Sequence, residues 1–242
     1  MNQKVTALLV SAVFITAIIA IVANAQMAYA GKAAKTNGIK FNKNNFSDPL
    51  NIDNKYFPLV PGTTFNYHGM TDDTPTSDVF TVTSETKTVD GITARVIHDN
   101  AYEDGELVES TDDWFAQDDN GNVWYIGEFT TDIESESHEG SWEAGVHGGK
   151  PGIFMEANPM VGDIYQQEFL KGVAEDRAEI VSLTDHVCVE FGCFDNVLVT
   201  KETTPLEPDI EEHKFFAPGV GDIQELVVRD GAEESELVSI ES

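Results

Sequence analysis

Oxygen and nitrogen donors gather in one stretch of this chain. Glu143, His147 and Glu156 lie in an irregular, glycine-rich segment, and Glu168, Glu175 and Asp176 sit on or after the next β-like run. Carboxylates with one imidazole suit a hard or borderline divalent ion such as Ca or Zn, because the oxygens carry negative charge and histidine lends a nitrogen to a transition metal. Glu143, His147, Glu156 and Glu168 are therefore the candidate metal ligands, and metal-dependent hydrolysis is the chemistry such a centre would support. Their spacing is loose, and a solvated acidic surface accounts for the same residues more simply. Asp118, Asn120 and Asn122 imitate the opening of a calcium loop. Gly121 stands fourth rather than sixth and no acid occupies the twelfth position, so a hairpin turn is the better reading.

Other catalytic patterns fail on inspection. Residues 145–150 resemble a phosphate loop, yet its first Gly would fall on Ala144 and the Ser or Thr after Lys150 is Pro151. His138-Glu139 opens like a zinc-protease helix, but the second His would fall on Trp142 and Gly140 lies inside the motif. No Gly-x-Ser-x-Gly is present. No catalytic residue is assigned.

Cys188 and Cys193 are the two cysteines, with four residues between them rather than the two of a redox Cys-x-x-Cys motif. In an oxidising compartment such a pair is most simply a disulfide across a turn, with Gly192 giving the backbone freedom to close it.

That compartment is indicated by the start of the chain. Lys4 precedes an uncharged apolar run from Val5 to Val22 and a small-residue exit ending Ala28-Tyr29-Ala30, the three-part layout of a secretory signal peptide. The run is also near the length of a membrane-spanning helix, so an uncleaved anchor is the alternative for residues 1–30. Residues 31–50 begin with four lysines and no acid as far as Asn45, and read as a basic, flexible tether. Asn45-Phe46-Ser47 is a glycosylation sequon at its end. Residues 51–242 then form one domain.

The chain carries 43 acidic residues against 14 basic ones, a formal net charge of −29. Nucleic acid and anionic membrane surfaces are excluded as partners, since their phosphates would be repelled. A highly charged, soluble extracellular protein, or one that holds divalent cations loosely as a structural surface component, fits this balance.

The pattern from Tyr56 onward is β almost throughout. Residues 78–86 alternate and are rich in β-branched side chains, Val89-Asp90-Gly91 makes a turn, and residues 92–98 return. A second hairpin turns at Asn120-Gly121. Further strands are expected near 63–69, 106–112, 163–170, 178–187, 194–201, 213–217, 222–229 and 235–240. No sustained helical periodicity interrupts them. The expected fold is all-β, a strongly curved antiparallel meander of about ten strands, a half-barrel or open barrel. The Pro-Gly steps at residues 61, 151 and 218 are unequally spaced and do not define a repeat. Residues 132–159 form a long Gly-rich loop expected to help build any site.

Such a sheet places aromatic residues on its concave side. Trp114, Trp124, Trp142, Phe154 and Tyr165 are the candidates to line an apolar ligand pocket, with plain core packing as the alternative. The stretches Tyr56-Phe57-Pro58-Leu59-Val60-Pro61-Gly62-Thr63, Asp113-Trp114-Phe115-Ala116-Gln117 and Ala217-Pro218-Gly219-Val220-Gly221-Asp222-Ile223 resemble exported β proteins of the LolA-like half-barrel type. That resemblance implies an open curved sheet holding lipid or lipoprotein acyl chains on its concave face. The reading that follows is an exported or cell-surface binding protein, non-enzymatic, holding a small apolar ligand or a segment of an extracellular protein partner. The alternative is an extracytoplasmic metal-binding protein.

Overall fold

The computed structural model describes residues 39–242. The leader and the start of the tether lie outside the described residues. A short ribbon comes first, β1 (Ile52–Asp53) with β2 (Pro58–Leu59). The long hairpins follow: β3 (Thr64–Thr71), β4 (Thr74–Val89), β5 (Ile92–Glu103), β6 (Glu106–Gln117) and β7 (Val123–Asp132). Short strands β8 (Trp142–Glu143), β9 (Lys150–Met155), β10 (Ile164–Gln166) and β11 (Glu168–Phe169) precede β12 (Arg177–Val189) and β13 (Gly192–Thr203). The last three are β14 (Glu211–Ala217), β15 (Gly221–Arg229) and β16 (Glu233–Glu241). The all-β expectation holds and the long strands fall where alternation and turn residues placed them, but the sheet has 14 strands rather than about ten, because β8 and β9 form within the segment read as a loop and the run expected near 163–170 splits into β10 and β11.

All strands from β3 onward belong to one antiparallel sheet of 14 strands, running from β10 through β12–β16, then β3–β7 and β9, to β11. Its two ends are adjacent in the chain. Ile164–Gln166 pairs with β12, Glu168–Phe169 pairs with β9, and Gln167 between them donates its backbone N–H to the Asp176 carbonyl. One short segment therefore stitches both edges together and nearly closes the sheet into a barrel, which leaves little unpaired edge. Gly152 sits at the seam because a Cβ there would collide with the Gln167 carbonyl. The Gly-rich loop 132–159 accordingly contributes a wall strand, β9, as well as turns.

The barrel is built twice over. Gly62 N–H bonds Val82 O at 2.8 Å, Thr63 N–H bonds Val60 O at 3.1 Å and Val82 N–H bonds Thr63 O at 2.8 Å. Gly162, Asp163 and Ile180 repeat the set at 2.8, 3.0 and 2.9 Å, with Met160 and Ile180 in the places of Val60 and Val82. Both glycines take φ +92°, a conformation costly for other residues. The hairpins then turn equivalently, with Val89 opposite Ile92 and Val189 opposite Gly192, and each carries a register shift on the barrel side of its turn. Thus β3–β7 with β9 match β10 and β12–β16. The Pro-Gly steps hid this repeat, because the counterpart of Pro61-Gly62 is Val161-Gly162.

The interior divides into an apolar and a polar part. Phe57, from the link between β1 and β2, reaches ring centroids of Phe80, Phe115, Phe154 and Phe216 within 4.3–6.4 Å. This plug fills the apolar half, where the remaining cavity beside Phe57, Phe65 and Phe80 is about 10 Å³, roughly one water. Where the sequence suggested a flexible tether, the described residues 39–50 instead lie against the barrel wall. Phe41 and Phe46 pack on Trp124, Lys43 pairs with Asp90, and Ser47 donates to Asp119. Two aromatics among the lysines supply the apolar surface that a free tether lacks.

Gly152→Ala is expected to lower stability by about 1–3 kcal/mol, the usual cost of overpacking, and to speed amide exchange at the β9–β11 seam. An unchanged denaturation midpoint would show that the seam carries no load.

Candidate functional site

A cleft of about 450 Å³ is lined by Ile39, Lys40 and Asn45 from the N-terminal segment, by Asp118, Asn120 and Asn122 of the β6–β7 hairpin, and by residues of the 156–163 turn including Glu156, Asn158, Met160 and Asp163. Most of its polar groups are already committed to holding its shape. Asp118 accepts from the backbone of Asn120 and Asn122, from the Asn122 amide and from the Trp124 indole at 3.0 Å, which makes it the Asx-type anchor of the β6–β7 hairpin. Asn54 donates to the carbonyls of Gly121 and Glu156, tying that hairpin to the end of β9.

Glu156 and Asp163 are both buried; Asp163 Oδ2 accepts from the Met160 N–H at 2.9 Å, whereas no donor reaches Glu156 Oε1. Burial first, and then the adjacent Asp163 carboxyl, push Glu156 up to about 8. At neutral pH Glu156 therefore keeps its proton. In the first half of the barrel the counterpart of Asp163 is Thr63, in a turn with the same backbone hydrogen bonds. The fold thus does not require an acid there.

Behind the cleft lies the polar half of the interior. Lys214 is 1 % exposed and faces Glu225 at 3.1 Å, Glu212 at 3.7 Å and Glu202 at 4.0 Å. Burial alone would depress its ammonium, but those carboxylates outweigh burial and hold it well above the usual lysine range. Glu202 also accepts from Gln167 and Thr200. Across the barrel Tyr125 Oη lies 2.6 Å from Asp113 and 3.0 Å from Glu128. One phenolic proton cannot serve both, so the trio holds an additional proton. Burial pushes Asp113 and Glu128 well above the carboxylate range, with Asp99 next for Asp113 and Glu168 next for Glu128. Asp78 is raised the same way, by burial and then by Asp99. Asp176 rises to about 7, chiefly by burial and against the Thr204 hydrogen bond.

The residues singled out from sequence are dispersed. Glu143 pairs with Lys87 at 2.9 Å, and His147 takes a left-handed conformation in an exposed turn. Glu168 is buried and accepts from the Trp142 indole at 2.8 Å, while Glu156 lines the cleft. Among the described residues the group of three metal-type donors that converges is His186, Cys188 and Cys193, which does not include these four. Trp114, Trp124, Trp142, Phe154 and Tyr165 are all buried. Trp124 packs under the N-terminal segment, Trp114 lies under the Lys87 ammonium at 3.2 Å, and Tyr165 donates to the Phe154 carbonyl at 3.4 Å. Cys188 and Cys193 form the expected disulfide. Asp163 and Lys214 escaped sequence reading, since only folding shows that their charges are enclosed.

No family model matches the chain, and no curated protein does. Two solved structures are similar to it. A "putative exported protein with YmcC-like fold" from Bacteroides fragilis NCTC 9343 is 17% identical with a TM-score of 0.48, covering 78% of this chain and 100% of its own. A "putative lipoprotein" from Parabacteroides distasonis ATCC 8503 is 13% identical with a TM-score of 0.46, covering 78% and 99%.

Glu156 and Asp176 bind protons in the folded state that the unfolded chain releases near pH 4, so stability falls as pH rises from about 4.5 toward 8. The slope for each such proton is at most about 1.4 kcal/mol per pH unit. Glu156→Gln removes one titrating group, and the denaturation midpoint of that variant is expected to fall less steeply with pH than that of the parent. Parallel profiles would refute the assignment of the raised carboxyl to Glu156.

Proposed function

We propose that this chain is an exported binding protein, non-enzymatic, whose ligand site is the cleft between the N-terminal segment and the 156–163 turn. The ligand is a small polar molecule bearing an ammonium or guanidinium group, which takes the place of the proton on Glu156, beside Asp163. Export is supported by the leader pattern of residues 1–30 and by the Cys188–Cys193 disulfide, a bond of oxidising compartments. The cleft volume of about 450 Å³ lies in the range of small-molecule sites. The single observation that carries the ligand class is the enclosed acid pair, Glu156 Oε1 lacking a donor at the wall of an open cleft. A cation there gains charge-assisted hydrogen bonds from two carboxylates in a partly desolvated place.

A second reading keeps the concave face as the site. Phe57 occupies the position an apolar ligand would fill, and withdrawal of residues 54–59 would expose Phe80, Phe115, Phe154 and Phe216 to such a ligand or to a partner segment. The cleft is favoured because it is open without rearrangement.

Calorimetric titration with an aliphatic diamine at about 0.15 M salt, where loose surface attraction is screened, is the test. Saturable one-to-one binding is expected, tightening as pH rises through about 8 because proton and ligand compete for Glu156. The Glu156→Gln, Asp163→Asn double variant should weaken it about 10- to 100-fold, the worth of a charged hydrogen-bonded pair. Equal affinity in that variant would overturn the proposal.

A further inference from the structure

Register on the β12–β13 hairpin brings four chemically distinctive side chains together. His186 stands opposite Asp195 and Cys188 opposite Cys193. Positions two apart on a strand share a face, so the four form one patch beside the turn. His186 Nδ1 lies 2.7 Å from Asp195 Oδ1, and its Nε2 lies 3.5 Å from Cys188 Sγ. One donor atom from each of His186, Cys188 and Cys193 lies within 4.8 Å of the others, and all three residues are exposed. In this structure the two sulfurs are joined.

We propose that this patch is a redox-gated site for a thiophilic metal ion of the Zn2+ class. A dithiol reductant supplies two electrons and two protons to the Cys188–Cys193 bond and leaves as its own cyclic disulfide. The two thiols then lose their protons as they ligate the metal, and His186 Nε2 supplies the third bond. Two thiolates and an imidazole are the ligands of known zinc centres, with water free to take the fourth position. Asp195 has the place of the carboxylate that characteristically fixes the tautomer and orientation of a metal-binding histidine through its other nitrogen. A disulfide oxidant takes two electrons from the two thiolates and two protons from solvent and leaves as two thiols; the Cys188–Cys193 bond that re-forms consumes both sulfur ligands and releases the ion.

The first half of the barrel provides an internal comparison. At the matching hairpin, Thr86 stands opposite Arg95 and Thr88 opposite Thr93. The same turn therefore forms with no sulfur, imidazole or carboxylate at those four positions. Neither the hairpin nor its register requires them.

The test uses the purified protein in both redox states, with Zn2+ alone as probe and Co2+ as a spectroscopic substitute. After reduction with dithiothreitol and its anaerobic removal, one Zn2+ per chain is expected, and Co2+ should show thiolate charge-transfer absorption. The oxidised protein and the Cys188→Ser, Cys193→Ser double variant should take up none at this site and give no such absorption. Asp195→Asn should weaken Zn2+ binding about 10- to 100-fold while preserving the thiolate absorption, a pattern expected of an orienting residue. His186→Ala should weaken it at least as much. Failure of the reduced protein to bind stoichiometrically, or undiminished affinity in His186→Ala, would overturn the proposal.

Discussion

A surplus of acid inside a barrel governs this molecule. Lys214 is enclosed with Glu202, Glu212 and Glu225, and other carboxyls lie beyond its reach on strands β4, β6 and β7. An isolated buried carboxylate is too costly to keep ionised, so such groups must pair, be hydrogen-bonded or hold protons. All three solutions are present here. Glu202 is paired and hydrogen-bonded, Asp113 and Glu128 share Tyr125, and Glu156 keeps a proton close to neutrality. Of the acids behind the chain's formal net charge of −29, those on the surface can be solvated, whereas those inside have to be neutralised locally.

The repeat explains how this interior is laid out. Asp113 pairs in register with Glu128, and the corresponding pair in the second half is Lys214 with Glu225. Asp99 lies opposite Thr111, and its counterpart Glu202 lies opposite Glu212. The two halves thus point polar side chains at the same level of the barrel, and replacement of one acid by Lys214 relieves the repulsion that a fully acidic ring would carry. Register enforces this, because a slip of one residue would turn each polar set outward and each aromatic set with it.

Much of the architecture was legible in the chain and the site was not, for a definite reason. Alternation of residues 78–86, the Asn120-Gly121 turn and the paired cysteines are local signals, and local signals survive without tertiary knowledge. β9 was missed because Pro151 and Gly152 read as loop, yet Gly152 is demanded by the approach of Gln167 from a distant part of the sequence. The repeat was missed because its signature is a hydrogen-bond pattern shared by Thr63 and Asp163, residues with no chemical likeness. Asp163 drew no notice among 43 acids, since what distinguishes it is enclosure beside Glu156. The aromatics proposed to line a concave pocket are all buried, Trp124 under the N-terminal segment, and the sequence did not reveal that Phe57 would pack against Phe154 and Phe216.

The two halves also separate what the fold needs from what it merely carries. A turn that forms equally with Thr63 and with Asp163 constrains the backbone and leaves the side chain free, as does a hairpin that forms with Thr88 opposite Thr93 or Cys188 opposite Cys193. Residues common to both halves, such as Gly62 and Gly162 at φ +92° or Phe115-Ala116 and Phe216-Ala217, answer to geometry and packing. Those that differ in chemistry while the backbone stays the same answer to something else. For Lys214 against Asp113 that is the charge balance of the interior. Asp163 caps the Met160 N–H of its own turn, a bond the Thr63 turn forms without, and for the His186–Asp195 patch no such structural demand is visible; both border solvent-accessible space.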